Sequence, residues 1–254
     1  MKELLNMKCL ALAVLTVAMF FGCNSPSSTG SGSSEASPEV LQDVPFAVAN
    51  QPVTITQAPG AAVFMDADEV EAMLTDLEGY FASQNAGDFA TTMTYYPLYR
   101  ANMDSAMIAQ SIEQMDMFWE QGVRNQTEAA DVLYISNKYR DGDQDVVLLN
   151  MDLIHRVIFV GYEESMSPKG MKGMVESSYG KGNAQFFSLN SDPKVEYWEV
   201  RGDNRLWAVR QVDTDRWCFL PANFNERGGG AFMTVDAMTS LLRHRSENDP
   251  FRLQ

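Results

Sequence analysis

Helices first and strands afterwards predict an α+β fold, in which three N-terminal helices pack on one face of an antiparallel sheet. Three observations carry the prediction. Apolar residues recur at helix spacing in three stretches between Asp66 and Gln121, β-branched and aromatic runs take over after Gln126, and Gly/Asp turns separate those runs.

The first helix is expected from Asp66 to about Gln84. Asp66 and Glu69 stand at capping-box spacing, and Val70, Met73, Leu74, Leu77 and Phe81 form one apolar stripe before Asn85-Ala86-Gly87 stops it. Asp88 opens a short second helix with Phe89, Met93 and Tyr96 on one face, closed by Pro97. A third, from Asp104 to Gln121, buries Ile108, Ile112, Met115 and Trp119 and ends at Gly122. "ADVLYISNKYR" and "VVLLNMDLIHRVIFVG", joined by "DGDQD", predict a hairpin of two long strands. Residues 163–183 are rich in Gly and Ser and predict a loop or lid with one helical turn. Three strands follow at "AQFFSLN", "KVEYWEVR" and "RLWAVRQV", then a fourth at "DRWCFLP", with turns at Gly202-Asp203-Asn204 and Asp213-Thr214-Asp215. After the triple glycine 228–230, Val235, Met238, Leu241 and Leu242 mark a last helix from Thr234 to about Ser246.

The chain ahead of this domain is of another character. Lys2 and Lys8 precede the run "LALAVLTVAMFF", which is shorter than the ~20 apolar residues a membrane span needs and predicts a signal peptide. Met7-Lys8 offers an alternative start. Asn24 to Glu39 holds seven Ser, two Gly and two Pro, too little apolar surface to fold, and predicts a leash with an end-to-end distance of roughly 20–25 Å. Prolines 45, 52 and 59 make residues 40–60 an extended strap. The expected organisation is therefore 1–22 signal peptide, 23–60 anchor, leash and strap, 61–225 folded domain, and 226–254 Gly-rich loop with the closing helix.

Two resemblances add to this reading. Phe20-Phe21-Gly22-Cys23 resembles a bacterial lipobox, with Phe20 where leucine is usual. The likeness implies that Cys23 is acylated, palmitate among its chains, and becomes the mature N-terminus, tethering the protein to the membrane of the cell envelope without insertion. Asn24 in the next position implies the outer membrane, facing the periplasm or the cell surface. The order of the three helices, the "NAGDF" turn, the "YYP" end of the second helix and the hairpin "RLWAVRQVDTDRWCFLP" resemble the nuclear transport factor 2-like (SnoaL-like) superfamily over residues 66 to about 221. That likeness implies a sheet curved into a conical pocket, often in dimers. Enzymes of the superfamily place a Tyr, Asp or His in the cone, but no local motif here matches theirs, so no catalytic residue is carried over.

The residues themselves nominate a pocket. Tyr96, Tyr99, Trp119, Phe187 and Trp207 are candidates for its aromatic wall, and core packing is the competing role for each. Strand alternation puts His155 on the face of Met151, Leu153, Val157 and Phe159, making it the one candidate for proton transfer; Asp152 and Arg156 fall on the opposite face as an expected local ion pair. Cys218, between Trp217 and Phe219, is expected to be inert and buried rather than paired with His155. The run from Asp141 to Asp145 imitates a calcium loop, yet Val146 stands where its glycine belongs and its twelfth position is Asp152, so a hairpin turn is expected and no metal. "GMVESSYGKG" fails as a phosphate loop, and the turn accounts for Arg201-Gly202-Asp203.

Of the 19 Lys and Arg and 34 Asp and Glu, two cations and one acid precede Cys23, leaving a formal charge of about −16. That excludes the basic footprint of a nucleic-acid partner. No cofactor is expected. The function read from the sequence is an envelope lipoprotein that binds a small apolar or amphipathic ligand, or a protein partner, without catalysis. The alternative is an isomerase, cyclase or hydrolase using His155 with a pocket carboxylate. A third reading makes Tyr197, Trp198 and their neighbours a homodimer or partner interface.

Overall fold

The computed structural model describes residues 52–96, 105–162, 168–179, 182–190, 192–211, 214–222 and 233–251. The leader, Cys23, the leash, Pro97, Tyr99 and the triple glycine lie outside them. Chain order is β1 (Thr54–Val63), α1 (Ala67–Ala86), α2 (Phe89–Thr94), α3 (Ser105–Glu120), β2 (Val123–Ile135), β3 (Tyr139–Asp141), β4 (Gln144–Val160), a 3₁₀ turn at Pro168–Met171, α4 (Lys172–Tyr179), β5 (Ala184–Leu189), β6 (Val195–Gln211), β7 (Cys218–Pro221) and α5 (Val235–Asn248).

The fold is α+β, and the sheet is mixed rather than antiparallel. Its order is β1-β2-β4-β6-β5, with β3 paired to β4 and β7 to β6, and it does not close on itself. The departure comes from β1, which runs parallel to β2. Its residues lie in the expected strap, where Pro59 argues against a central strand. An edge strand tolerates proline at an irregularity, and the register does shift between Gln57 and Ala62, with Gly60 at φ +82°.

The expected break at Gly202-Asp203-Asn204 does not occur. β6 pairs with β4 without interruption from Val195 to Gln211, because the seventeen-residue ladder outweighs a local turn preference. The region expected as a loop or lid holds α4, which packs through Val175 into the core. Asp66 makes no side-chain cap bond, and the Glu69 carboxylate accepts from Lys138 and Arg210 instead of closing a capping box. Two local expectations hold: Asp88 caps α2 by accepting from the Thr91 N–H, and Gly87 ends α1 in the left-handed conformation at φ +70°.

Register separates the two faces of the sheet. Leu149, Met151, Leu153, His155 and Val157 face α1, α2 and α3, together with Trp198, Val200 and Phe219. Leu148 and Trp207 face the other way, where α5 covers one end through Ala237 and Leu241. The acidic hairpin that imitates a calcium loop turns at Gly142 (φ +64°), and Asp141 accepts from the Thr234 N–H and hydroxyl at 2.7 and 2.8 Å, seating the start of α5. Among the described residues no group of three His, Cys, Asp or Glu side chains is placed to hold a metal. No described helix is long and apolar enough to cross a membrane.

Candidate functional site

The last turn of α1 carries polar side chains on a stripe that is otherwise apolar. Val70, Met73, Leu77, Tyr80, Phe81 and Gln84 all face inward, and the polar pair Tyr80/Gln84 stands four residues apart on that face. The Gln84 amide donates to the Tyr80 hydroxyl at 3.0 Å, and the Tyr80 and Tyr96 hydroxyls lie 3.5 Å apart. Beside them Ser83 donates to the Tyr80 carbonyl at 2.8 Å and shares a 2.9 Å bond with the Thr92 hydroxyl.

A second polar chain starts one residue on. The Asn85 side chain donates to the Thr127 carbonyl and accepts from the Thr127 N–H, both at 2.8 Å, so it takes the place of a neighbouring strand where β2 is irregular. β1 pairs with β2 only from Ala129 onward, just past this clamp. The Thr127 hydroxyl in turn lies 3.4 Å from Nδ1 of His155.

Burial sets the charge of every titratable group here. It pushes the Tyr80 hydroxyl up to about 12 and the Tyr96 hydroxyl well above its ordinary value, and it holds the His155 imidazole down to about 3. All three are neutral at pH 7. Gln84 adds a buried polar atom from the last turn of α1. Gln84 is 8 % exposed, and its Oε1 has no hydrogen-bond partner among the described residues. Turning the amide over exchanges which atom is left unpaired and does not cure it.

The structure brings Tyr96 and His155 to the helix-covered face and scatters the other predicted wall residues. Trp119 sits at the end of α3 against Phe89, with the Arg124 guanidinium 3.9 Å above its ring. Phe187 lies on the opposite face, stacked on Tyr197 at 4.8 Å in a small cluster with Ile158 and Val195. Trp207 is on that opposite face too, at the α5 end, donating to the Ala222 carbonyl. Cys218 is buried, and the register puts it beside Val209 and Val146, nine residues along β4 from His155, about 30 Å at the rise of a strand. No Cys-His pair forms. Arg156 does not pair with Asp152; it bonds Glu128 and Glu199 at 2.8 and 3.0 Å, while Asp152 stands opposite Asp131 and Asp203.

Sequence reading missed Tyr80, Gln84, Asn85 and Thr127. A signal was present, since Tyr80 and Gln84 fall three and seven residues after Leu77 on the apolar stripe. Polar residues on a buried face are the informative exceptions. Compared with known families and with curated proteins, the chain matches none.

Proposed function

We propose that this chain is a lipid-anchored envelope protein whose domain, a nuclear transport factor 2-like cone, binds a small uncharged amphipathic molecule and leaves it chemically unchanged. The observation that carries the reading is the buried, unpartnered Oε1 of Gln84 beside the Tyr80 and Tyr96 hydroxyls. A buried polar atom left unpaired costs about 1–3 kcal/mol, which a ligand N–H or O–H would recover. The surrounding groups are neutral, so they offer no counter-charge to offset the desolvation of an ionic ligand.

The same electrostatics favour binding over proton transfer. General acid–base work at neutral pH needs a group that titrates near 7, and His155 at about 3 is a poor base. The anchor rests on Cys23 and its flanks. The experiment is native mass spectrometry of the mature chain carrying Cys23→Ser, exported to the periplasm on a non-lipoprotein leader. An added mass that disappears on denaturation, together with loss of membrane association relative to the wild type, is the expected result. A clean dimer without added mass would instead favour an interaction role, and turnover of the bound molecule lost in His155→Ala would favour the enzyme.

A further inference from the structure

Arg124 differs from three half-buried arginines that carry ion pairs. Arg156, Arg210 and Arg245 keep 14–20 % of their side chains exposed, and each reaches two carboxylates: Glu128 and Glu199, Glu69 and Asp145, Asp203 and Asp249. Arg124 is half-buried as well, and among the described residues no carboxylate comes within ion-pair distance of it. In a chain with 34 acidic residues, carboxylates are plentiful, so this is not a shortage of counter-charge.

Its position is built from three elements. Trp119, at the end of α3, lies against the backbone of Gly87: a Cβ there would meet the indole at 2.7 Å, so only glycine admits the ring. Phe89 meets the same ring edge-on at 5.9 Å. The Arg124 guanidinium lies on the indole and donates to the Trp119 carbonyl at 3.3 Å. That bond uses one of five N–H donors and holds the guanidinium plane in one orientation. Across the strands from Arg124 stand Ile158, Tyr197 and Phe187 in a row, an apolar strip leading away from the charge. Burial lowers the Arg124 pKa.

We propose that Arg124, laid on Trp119 where α3 turns into β2, anchors a second site that takes an oxyanion, either a carboxylate or a phosphate group. This site goes beyond the neutral ligand of the α1 interior and lies where α3 passes into the start of β2. The fixed guanidinium supplies paired donors for a planar or tetrahedral oxyanion, and the indole beneath keeps it oriented. A soluble metabolite and a lipid headgroup share this chemistry.

Trp119 is its own reporter, because the other three tryptophans are buried. The test uses the full mature chain labelled with 5-fluorotryptophan, with the Trp119 fluorine resonance assigned by Trp119→Phe. Inorganic phosphate is titrated at constant ionic strength, and vesicles of phosphatidylglycerol are compared with phosphatidylcholine. The Trp119 resonance is expected to move and saturate in millimolar phosphate, to stay still in Arg124→Gln, and to need several-fold more phosphate in Arg124→Lys. Movement with anionic vesicles well below the phosphate concentration required supports the site and assigns it to a lipid headgroup; movement with phosphate alone supports it and assigns a soluble anion. No saturable shift with either probe, or an equal shift in Arg124→Gln, overturns the proposal. The other three resonances check that each variant folds; should Arg124→Gln disturb them, Arg124→Lys carries the comparison.

Discussion

The two ends of α1 are docked by opposite means. At its start, Glu69 accepts from Lys138 and Arg210 at 2.6 and 2.9 Å, and Asp145 joins Arg210 and Arg140 in the same network. Arg210 also lies 4.7 Å over Trp217. At its end, amides and hydroxyls alone do the docking, through Tyr80, Ser83, Gln84 and Asn85. The difference teaches what burial permits. At the start of α1 the charges pair with one another, Asp145 while buried, whereas at its end the buried polar groups are neutral and each needs a specific partner. A neutral interior in which Gln84 Oε1 lacks a partner among the described residues is suited to a neutral ligand.

Breaking the comparison at the neutral end should have the largest effect. Asn85→Ala strips two hydrogen bonds from the backbone of Thr127 and leaves its buried N–H and C=O unpaired, an expected loss of roughly 3–4 kcal/mol in urea unfolding. Asn85→Asp should cost no less, since the clamp loses its donor and gains a buried charge. A loss below about 1 kcal/mol would mean that the clamp is incidental.

The second effect concerns pH. His155 titrates near 3 in the fold against 6.5 in a free chain, so below pH 6.5 protons bind the unfolded state first and stability falls with pH until the folded group titrates. Roughly 3 kcal/mol should be lost between pH 6.5 and 4 on this account. A His155→Gln variant should have a visibly flatter acid limb over that window. Parallel limbs would contradict the buried, neutral assignment.

The charged end should respond more weakly and in another window. The hydrogen bond from Lys138 is the first cause of the lowered Glu69 pKa, so its contribution is present above the carboxylate's unfolded pKa and disappears as pH falls through the folded one. Glu69→Gln should cost less than about 1 kcal/mol at pH 7, diminish further in 1 M salt, and converge with wild type in acid. The smallest effect has the opposite sign. Asp152 faces Asp131 and Asp203 across neighbouring strands, and burial followed by the Asp131 charge raises its pKa. Asp152→Asn should stabilise the fold by a few tenths of a kcal/mol at pH 7, with the gain vanishing as pH falls through the raised pKa. Urea midpoints at matched pH measure both.

Local chemistry was legible in the sequence, and long-range pairing was not. The apolar stripe of α1, the Asp88 cap, the Gly87 stop and the Asp-Gly turn before β4 are each decided within a few residues, and the sequence states them openly. The parallel pairing of β1 is decided by β2, some seventy-five residues away, and Pro59 argues locally against it. Gly202-Asp203-Asn204 has the composition of a turn, yet β4 alongside keeps it extended. The site divided the same way. His155 was visible through strand alternation. Asn85 read as part of a helix stop, and its bond to Thr127 spans forty-two residues; Phe187 and Trp207 looked like pocket lining because their face depends on sheet register that no local pattern reveals.

The central claim is that the neutral end of α1 holds a neutral ligand through Gln84. Its most direct measurement is native mass spectrometry of the mature chain beside its Gln84→Met variant, both purified from the periplasm. The account predicts a bound, uncharged molecule on the wild type and its loss or at least tenfold depletion on the variant, with both chains folded by circular dichroism. A wild type that carries nothing, or a variant that retains the same mass at the same occupancy, would contradict it.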